Sequence, residues 1–439
     1  MTRYARLLRV LCLALACVLV VPIGSWTPTS AALPSRAFVT IPILPPLALD
    51  REVAAFYRSR AYRPLWIEQS ALRPEAARLA DLVRGGEADS TELRDALAAA
   101  AGGDRHQLTR ADLLLSQAYV RWVRVHHRAP AANEMRYVDA GLAPEPERAD
   151  DLLRALADAP SFARHFEAME RINPVFAGLT RALANFRGDA AQRRLIEANL
   201  ERARAIPARP NGRYILVDAA SAQLWMIDDG RIVDRMRVIV GKRAMPTPQL
   251  AGLVRYAALN PYWNLPPDLI RQRARGGAAA IRSEHLEVLS DWSPRARRLD
   301  PGQVDWRAVA AGRRFVNLRQ TPGAHNMMGR IKFMLPNDMG VYLHDTPLRG
   351  LFAGADRRQS SGCVRLEDAG RLERWLFRGR TPQPNGTPEQ RVDLPEAVPV
   401  YIGYFTALPT RDGAAFLPDV YARDGVSAVS RRPRQTRSA

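Results

Sequence analysis

The strongest constraint in this 439-residue sequence is a change in the spacing of its apolar residues near Pro207. Over 50–206 these residues recur three and four positions apart, as they do along one face of a helix. After Pro207 they form short runs rich in Val, Ile, Leu and Tyr, which is typical of buried β-strands. The runs are 213–217, 223–227, 231–240, 253–258, 340–344 and 398–404. We therefore predict an α+β chain, helical in its N-terminal domain and mostly β after it.

Shorter segments divide the chain further. We place a helical domain at 50–206, a β domain at 207–408, a C-terminal extension at 409–424 and a disordered basic tail at 425–439. An Arg-rich stretch of about 265–318 interrupts the strands of the β domain. Segments of this length inside a strand-rich domain are more often functional than structureless. We therefore expect an inserted lid subdomain.

The N-terminus has the residue order of a secretory signal. Three arginines within the first nine residues precede the apolar run 10–23, and small residues follow that run. We predict a signal peptide over 1–32 and a Pro-rich linker over 33–49. A retained membrane anchor is the alternative, because the apolar run is only slightly shorter than a spanning helix. Both interpretations export the body of the protein.

The charge of the chain is basic but evenly spread. Lys and Arg total 64 against 45 Asp and Glu, which gives a net charge of +19, and Lys242 and Lys332 are the only lysines. No basic motif with interleaved aromatic residues accompanies the arginines, which argues against nucleic-acid binding. The excess charge favours attraction to an anionic cell envelope. The histidines form no metal-binding motif, so the sequence predicts no metal site.

The cysteines single out one position. Cys12 and Cys17 lie within the predicted signal, which leaves Cys363 alone in the mature chain. A lone thiol cannot form an intrachain disulfide, and exported compartments are oxidising. Cys363 is therefore either a nucleophile or an inert buried side chain.

The residues around Cys363 favour a reactive thiol. The segment 366–377 is predicted to form a helix, and its positive N-terminal end, together with Arg365, would stabilise a thiolate. Gly362 permits a tight turn, and backbone amides in such a turn can face a developing oxyanion.

Three histidines are candidates for the base. His344 ends the strand-like run 341–344, and a base there, facing a nucleophile on the next loop, suits acyl transfer through a thioester. His285 and His325 compete with it. His325 lies in a loop with Gly and Asn, where a supporting or substrate-contact role fits better.

A series of motifs runs through the β domain: Met236–Lys242, Pro246–Pro248, Asn260–Asn264, Arg319–Asn326, Gly329–Phe333, Leu335–Asn337, Val341–Pro347 and Ser360–Arg365. Together they resemble the YkuD catalytic domain of L,D-transpeptidases. In the helical region, Phe56-Tyr57 and Pro64–Trp66 are similar to the scaffold of the family's large, periplasmic branch. The resemblance spans about 50–424 and is strong over 213–405. It implies a periplasmic enzyme with a helical scaffold and a mostly β catalytic domain.

The resemblance also implies a reaction. Cys363 corresponds to the nucleophile, which attacks the carbonyl between the third residue of a peptidoglycan stem and its terminal D-Ala. His344 corresponds to the base, which the family usually orients with a backbone carbonyl. The implied product is a 3–3 cross-link in the cell wall, formed without a cofactor. Carbapenem-type inhibitors are implied as further ligands.

The remaining site residues follow from the same resemblance. The amides of Gly362 and Cys363 are candidates for the oxyanion hole. Arg365 is expected to pair with a stem carboxylate, because a guanidinium matches the shape of that group. Further substrate contacts are expected from Tyr342, Ser360, Ser361, His325 and Asn326.

Two departures from the family pattern leave alternatives open. Ser361 stands where many members carry His, and no repeat-like peptidoglycan-binding module separates the helices from the strands. A catalytically silent peptidoglycan-binding scaffold is one alternative. Another is the same acyl-enzyme used for protein anchoring or for hydrolysis. An unrelated exported cysteine peptidase fits less well, because those enzymes generally place the nucleophile ahead of the histidine.

Overall fold

Helices dominate the N-terminal part of the chain, as the apolar spacing predicts. The computed structural model describes residues 49–128, 134–207, 212–293 and 295–425. The predicted signal peptide, nearly all of the linker and the tail after residue 425 lie outside them. The described helices before Pro207 are α1 (Arg51–Ser59), α2 (Pro74–Val83), α3 (Thr91–Ala100), α4 (Arg105–His126), α5 (Ala149–Ala157), α6 (Phe162–Arg171), α7 (Pro174–Ala184) and α8 (Ala190–Ala203). None of the described helices is long and apolar enough to span a lipid bilayer.

Local sequence signals set where most of these helices begin. The first amides of a helix have no partner within it, and a preceding Asp, Ser or Asn side chain can accept a hydrogen bond from one of them. Such caps are provided by Asp50, Ser90, Asp104, Ser161, Asn173 and Asp189.

Helix α4 forms the centre of the helical layer. Its buried Asp112 accepts hydrogen bonds from the backbone amides of Leu65 at 2.9 Å and Trp66 at 2.6 Å. The Trp66 ring, fully buried, packs edge-on against Tyr119 and Phe166. The loop after α1 is thus fixed to α4 by both polar and aromatic contacts.

After Pro207 the chain is mostly β. Three two-residue strands precede that point, β1 (Ile67–Glu68), β2 (Ala71–Leu72) and β3 (Arg136–Tyr137). The first strands after it are β4 (Arg213–Asp218), β5 (Gln223–Asp228), β6 (Arg231–Gly241) and β7 (Leu250–Leu259). Each includes one of the runs that the sequence predicts as a strand.

The inserted stretch has its own secondary structure and core. It contains β8 (Trp263–Asn264), α9 (Pro267–Ala274), α10 (Gly277–Ser283), β9 (Leu286–Leu289), β10 (Arg298–Leu299), α11 (Trp306–Ala310) and β11 (Asn317–Gln320). The strands form a sheet in the order β10-β9-β11-β8. Buried side chains such as Ile281, Val288 and Leu318 form a separate apolar cluster beneath it.

The remaining strands complete the catalytic sheet. They are β12 (Ile331–Met334), β13 (Leu343–His344), β14 (Arg358–Ser360), β15 (Val364–Leu366) and β16 (Gln390–Gly403), with α12 (Ala369–Leu376) between the last two. A hairpin of β17 (Ala407–Thr410) and β18 (Gly413–Phe416) follows. The main sheet runs β12-β13-β15-β6-β5-β4-β16-β7-β3, and β12 also pairs with β7. Because of that extra pairing, the sheet closes into a barrel-like ring.

The alternation of side chains along β4 divides the core into two parts. Ile215 and Val217 point into the ring, where they join an apolar cluster that also contains Leu343 and Val364. Tyr214 and Leu216 point outward into a second cluster, which they share with residues of α7 and α8 such as Phe176 and Ile196. The helical layer therefore covers the outer face of the sheet.

Two further contacts join the helical layer to the β domain. Strand β3, from the segment between α4 and α5, pairs in parallel with the start of β7, with Arg136 opposite Leu250. Helix α7 packs against the hairpin of β17 and β18 so closely that a Cβ atom on Gly178 would collide with the Pro409 ring.

We expect Gly178→Val to lower the free energy of unfolding by about 1–3 kcal/mol, because the added side chain overpacks the contact with Pro409. Urea denaturation followed by circular dichroism measures this change. Ala184→Val, at an exposed position of the same helix, is the matched control and should have little effect. If both variants lose the same stability, helix propensity and not the close contact explains the loss.

Candidate active site

One face of the sheet carries the reactive side chains. In β13 and β15, which are parallel, His344 lies opposite Arg365, and in β12 and β13 Lys332 lies opposite His344. The Val364 amide donates to the Tyr342 carbonyl at 3.1 Å, which extends the pairing by one residue. Because successive side chains alternate, Cys363 and Arg365 lie on the same face as His344. The neighbouring Leu343, Val364 and Phe333 side chains point into the core instead.

A tight turn presents the thiol. Gly362 has φ of +113°, a conformation that other residues rarely adopt. The buried Ser360 hydroxyl donates to the Cys363 carbonyl at 2.6 Å and accepts from the Gly362 amide at 3.1 Å. The Thr247 hydroxyl donates to the Gly362 carbonyl at 2.9 Å from the other side. These three hydrogen bonds fix the backbone on which Cys363 sits.

His344 is fixed as a neutral imidazole. The ring is 1% exposed, and its Nδ1 lies 2.6 Å from the Asp345 carbonyl oxygen. Since a carbonyl can only accept, Nδ1 carries the proton and Nε2 keeps its lone pair. Burial, with the positive charges of Arg365 and Lys332, lowers the pKa of His344 to about 3, although the hydrogen bond to Asp345 opposes this shift. His344 is thus available as a base at neutral pH.

The thiol is neutral at rest. Burial raises the pKa of Cys363, and this effect exceeds the lowering by hydrogen bonds from Tyr342 and by the nearby Arg365 charge. The Cys363 Sγ lies 3.4 Å from the Gly340 carbonyl oxygen, to which a protonated thiol can donate. The surroundings of Cys363 therefore disfavour the thiolate that the sequence predicts.

The predicted helix dipole does not act on the thiol. The sequence predicts a helix from residue 366, but Val364–Leu366 form β15, and α12 begins only at Ala369, where Asp368 caps it. A strand of three residues separates Cys363 from the helix. The dipole effect fades within about one turn.

Two cations border the site. Arg365 is half-buried, burial lowers its pKa, and it forms no ion pair within the described part of the chain. Lys332 is 8% exposed, and its Nζ pairs with Glu389 Oε1 at 2.8 Å. Lys332 is not among the site residues that the sequence predicts. Its position between two apolar strand residues, Ile331 and Phe333, is the signal that indicates a lysine on the opposite face.

Two sequence families match the chain. The L,D-transpeptidase catalytic domain (YkuD) matches residues 212–400, and the Scaffold domain matches residues 51–183. The chain contains a YkuD-type L,D-transpeptidase catalytic domain. A curated Haemophilus influenzae protein, named "Putative L,D-transpeptidase", is 28% identical to it over 393 residues, which is 85% of this chain and 78% of that protein.

Solved structures of L,D-transpeptidases are less similar in sequence to this chain than the Haemophilus influenzae protein is. The catalytic domain of the E. faecium L,D-transpeptidase is 15% identical, with a TM-score of 0.23, and the match covers 44% of this chain and 97% of that one. An L,D-transpeptidase from Mycobacterium smegmatis is 15% identical, with a TM-score of 0.22, and the match covers 44% and 59%. The family assignment rests on the sequence matches.

Two side chains that the sequence predicts as substrate contacts, Asn326 and Ser360, instead stabilise the backbone around the site. Asn326 is fully buried, and its amide donates to the carbonyls of Pro261, Gln320 and Thr321. Its Oδ1 accepts from the Met328 amide at 2.7 Å. Asn326 therefore braces a loop, as the buried Ser360 hydroxyl braces the nucleophile turn.

The structure also bears on the predictions for the oxyanion hole and for His325. The Gly362 amide is already bonded to Ser360, so only the Cys363 amide, which has no partner in the described chain, remains as a backbone donor to an oxyanion. His325 stacks on His285 with ring centres 3.9 Å apart. Tyr342 and Ser361 are half-buried beside the thiol, and their substrate contacts stay predictions, as does that of His325.

We expect the alkylation of Cys363 by iodoacetamide to accelerate about tenfold per pH unit from pH 6 to 8, because the thiolate fraction rises tenfold per unit below the thiol pKa. Peptide mass spectrometry at Cys363 measures the rate. No inflection should occur near pH 6.5, because the pKa of His344 is lowered to about 3. A rate that is already constant between pH 6 and 8 would mean that the protein holds a thiolate.

Proposed function

We propose that this protein is a peptidoglycan L,D-transpeptidase in which Cys363 carries the acyl group and His344 moves the proton. The observation that carries the proposal is the shared face of β13 and β15, where both side chains lie next to Arg365. The family assignment supports the same reaction class.

The first half-reaction acylates the thiol. His344 Nε2 accepts the proton of Cys363 as sulfur attacks the carbonyl before the terminal D-Ala of a tetrapeptide stem. The bond from that carbonyl to the D-Ala nitrogen breaks, and His344 returns the proton to the leaving amine. The products are free D-Ala and a thioester at Cys363. The Cys363 amide is suited to stabilise the oxyanion that forms between these states.

The second half-reaction transfers the acyl group. The side-chain amine of a second stem attacks the thioester, His344 takes its proton, and the thiol is regenerated as the 3–3 cross-link forms. Water competes with the amine, and a protein amine would give anchoring instead. We propose that the inserted subdomain acts as a lid, because excluding water favours transfer over hydrolysis.

The surrounding residues suit a stem peptide. Arg365 is half-buried and forms no ion pair among the described residues, so its guanidinium is available for a bidentate bond to a stem carboxylate. Tyr342, whose ring lies 5.8 Å from that of His344, would line the cleft together with Ser361. His325 is a further contact within this proposal.

The proposed reaction also fixes a location. Peptidoglycan lies outside the inner membrane, so the N-terminal signal predicted over 1–32 fits a periplasmic enzyme. The net charge of +19 favours association with the anionic envelope. Carbapenem-type inhibitors are expected to acylate the same thiol.

Incubation with tetrapeptide stems is expected to release D-Ala and to produce a dimer joined through the third residues, because thioester formation and transfer both occur at Cys363. Mass spectrometry of the products measures this outcome. Cys363→Ala should form neither product. Tripeptide without dimer would indicate hydrolysis, and an unchanged substrate would indicate a catalytically silent scaffold.

We expect His344→Ala to slow acylation by a carbapenem by about 10² to 10⁴-fold, the usual contribution of a positioned base. Intact-protein mass spectrometry follows the adduct with time. His106→Ala, at an exposed position near the start of α4, is the matched control and should react at the wild-type rate. Equal rates for both variants would mean that another group accepts the thiol proton.

A further inference from the structure

A cavity that contains none of the candidate active-site residues lies between the main sheet and the C-terminal hairpin. Its volume is about 500 Å³. Trp225 and Gln223 of β5 lie along one side with the loop residue Ser221. The opposite side is apolar and comes from the hairpin and the residues after it, namely Leu408, Pro409, Ala415 and Leu417.

The cavity is lined by positive charge. Arg235, Arg357 and Arg358 all line it, and no Asp or Glu is among its lining residues. One acid lies close, since Asp356 Oδ1 is 3.1 Å from Arg358 Nε. Arg235 is exposed, and its side chain forms no ion pair in the described chain. Arg235 and Arg357 therefore form no ion pair within the described part of the chain.

Arg357 is held in place but only partly satisfied. Its two terminal nitrogens donate to the carbonyls of Ser221 at 3.0 Å and Gly354 at 3.3 Å. Its Nε is buried and finds no partner among the described residues. Burial and the positive charges of Arg237 and Arg358 lower the pKa of Arg357, although Glu367 and Asp356 partly oppose this shift. An anion in the cavity would further offset the repulsion among the arginines.

The combination of arginines and apolar residues in the lining favours some anions over others. A free phosphate needs donors on all sides and gains nothing from Leu408 or Trp225. A ligand that carries carboxylates on an aliphatic chain matches both walls, since guanidinium groups bind carboxylates and the apolar wall covers methylenes. Peptide stems of peptidoglycan have this chemistry.

We propose that the cavity formed by Trp225, Arg235, Arg357 and the C-terminal hairpin is a second binding site for a carboxylate-bearing stem peptide, separate from the site at Cys363. The choice of ligand rests on the proposed function. Arg358 begins β14, and Cys363 follows five residues later, so the chain limits the separation of the two Cα atoms to about 17 Å. A stem in this cavity lies close to the one that is being processed.

The position of the hairpin wall depends on the helical layer. Gly178 of α7 contacts Pro409, and Pro409 lines the cavity. The helical domain thereby shapes this site without contributing a side chain to its lining.

The test uses the full chain with Cys363→Ala, which cannot be acylated, and the stem tripeptide, which lacks the terminal D-Ala. Isothermal titration should detect binding that Arg357→Met and Arg235→Gln each weaken about tenfold, the effect of losing one charge-assisted hydrogen bond. Arg231→Gln, on the same strand β6 but outside the lining, is the matched control. A tripeptide with amidated carboxylates should lose this binding.

The outcomes separate the cavity from the active site. If the tripeptide does not bind, or if only Arg365→Met weakens it, the proposal is overturned. Arg235→Gln changes an exposed side chain, so its result stands even if Arg357→Met fails to fold. If the wild type releases no D-Ala while binding still depends on Arg235 and Arg357, the cavity site remains and the proposed reaction does not.

Discussion

The parallel pairing of β13 with β15 is the interaction on which the candidate site depends. It places His344 opposite Arg365 and sets Cys363 on the same face, although β14 lies between β13 and β15 in the chain. A shift of one residue in this register would turn His344 toward the core and Leu343 toward the cleft. The apolar cluster that contains Leu343, Val364 and Leu366 makes such a shift unfavourable. The core thus fixes the chemistry through the alternation of side chains.

The surroundings of Cys363 and His344 disfavour a charge on either side chain. Burial disfavours both the thiolate and the imidazolium, and the adjacent Lys332 and Arg365 charges further disfavour the imidazolium. In the proposed reaction, proton transfer from sulfur to His344 is therefore coupled to attack on a carbonyl. A resting ion pair would be more reactive toward oxidants.

The sequence allows the main architecture to be predicted, and it names Cys363 and His344, which the structure places on one face. The change of apolar period near Pro207 separates the helical layer from the sheet, and a lone thiol after a strand-end histidine marks the site. The prediction of a helix from residue 366 is wrong, because this residue ends β15. That strand has only three residues and pairs with β6, more than 120 positions earlier in the chain. Nothing local signals that partner.

The side-chain roles are harder to predict than the elements. Asn326 and Ser360 are polar residues in a motif-rich loop and turn, so the sequence suggests contact with substrate, whereas their hydrogen bonds are satisfied by backbone groups. Lys332 forms an ion pair with Glu389, which is distant in sequence, so the position of its charge cannot be predicted locally. Such assignments need the register of several strands at once.

Because β3 belongs to the main sheet, the chain cannot be divided cleanly between its helical and β regions. Strand β3 comes from the helical region, and it covers the backbone of β7 at Leu250 and Ala251. Cutting the chain at Pro207 would remove this strand together with α7 and α8, which shield Tyr214 and Tyr401. The isolated β portion would then expose an unpaired strand edge beside a patch of aromatic side chains, a combination that promotes self-association. The two sequence families mark segments of one cooperative unit, not parts that can be exchanged freely.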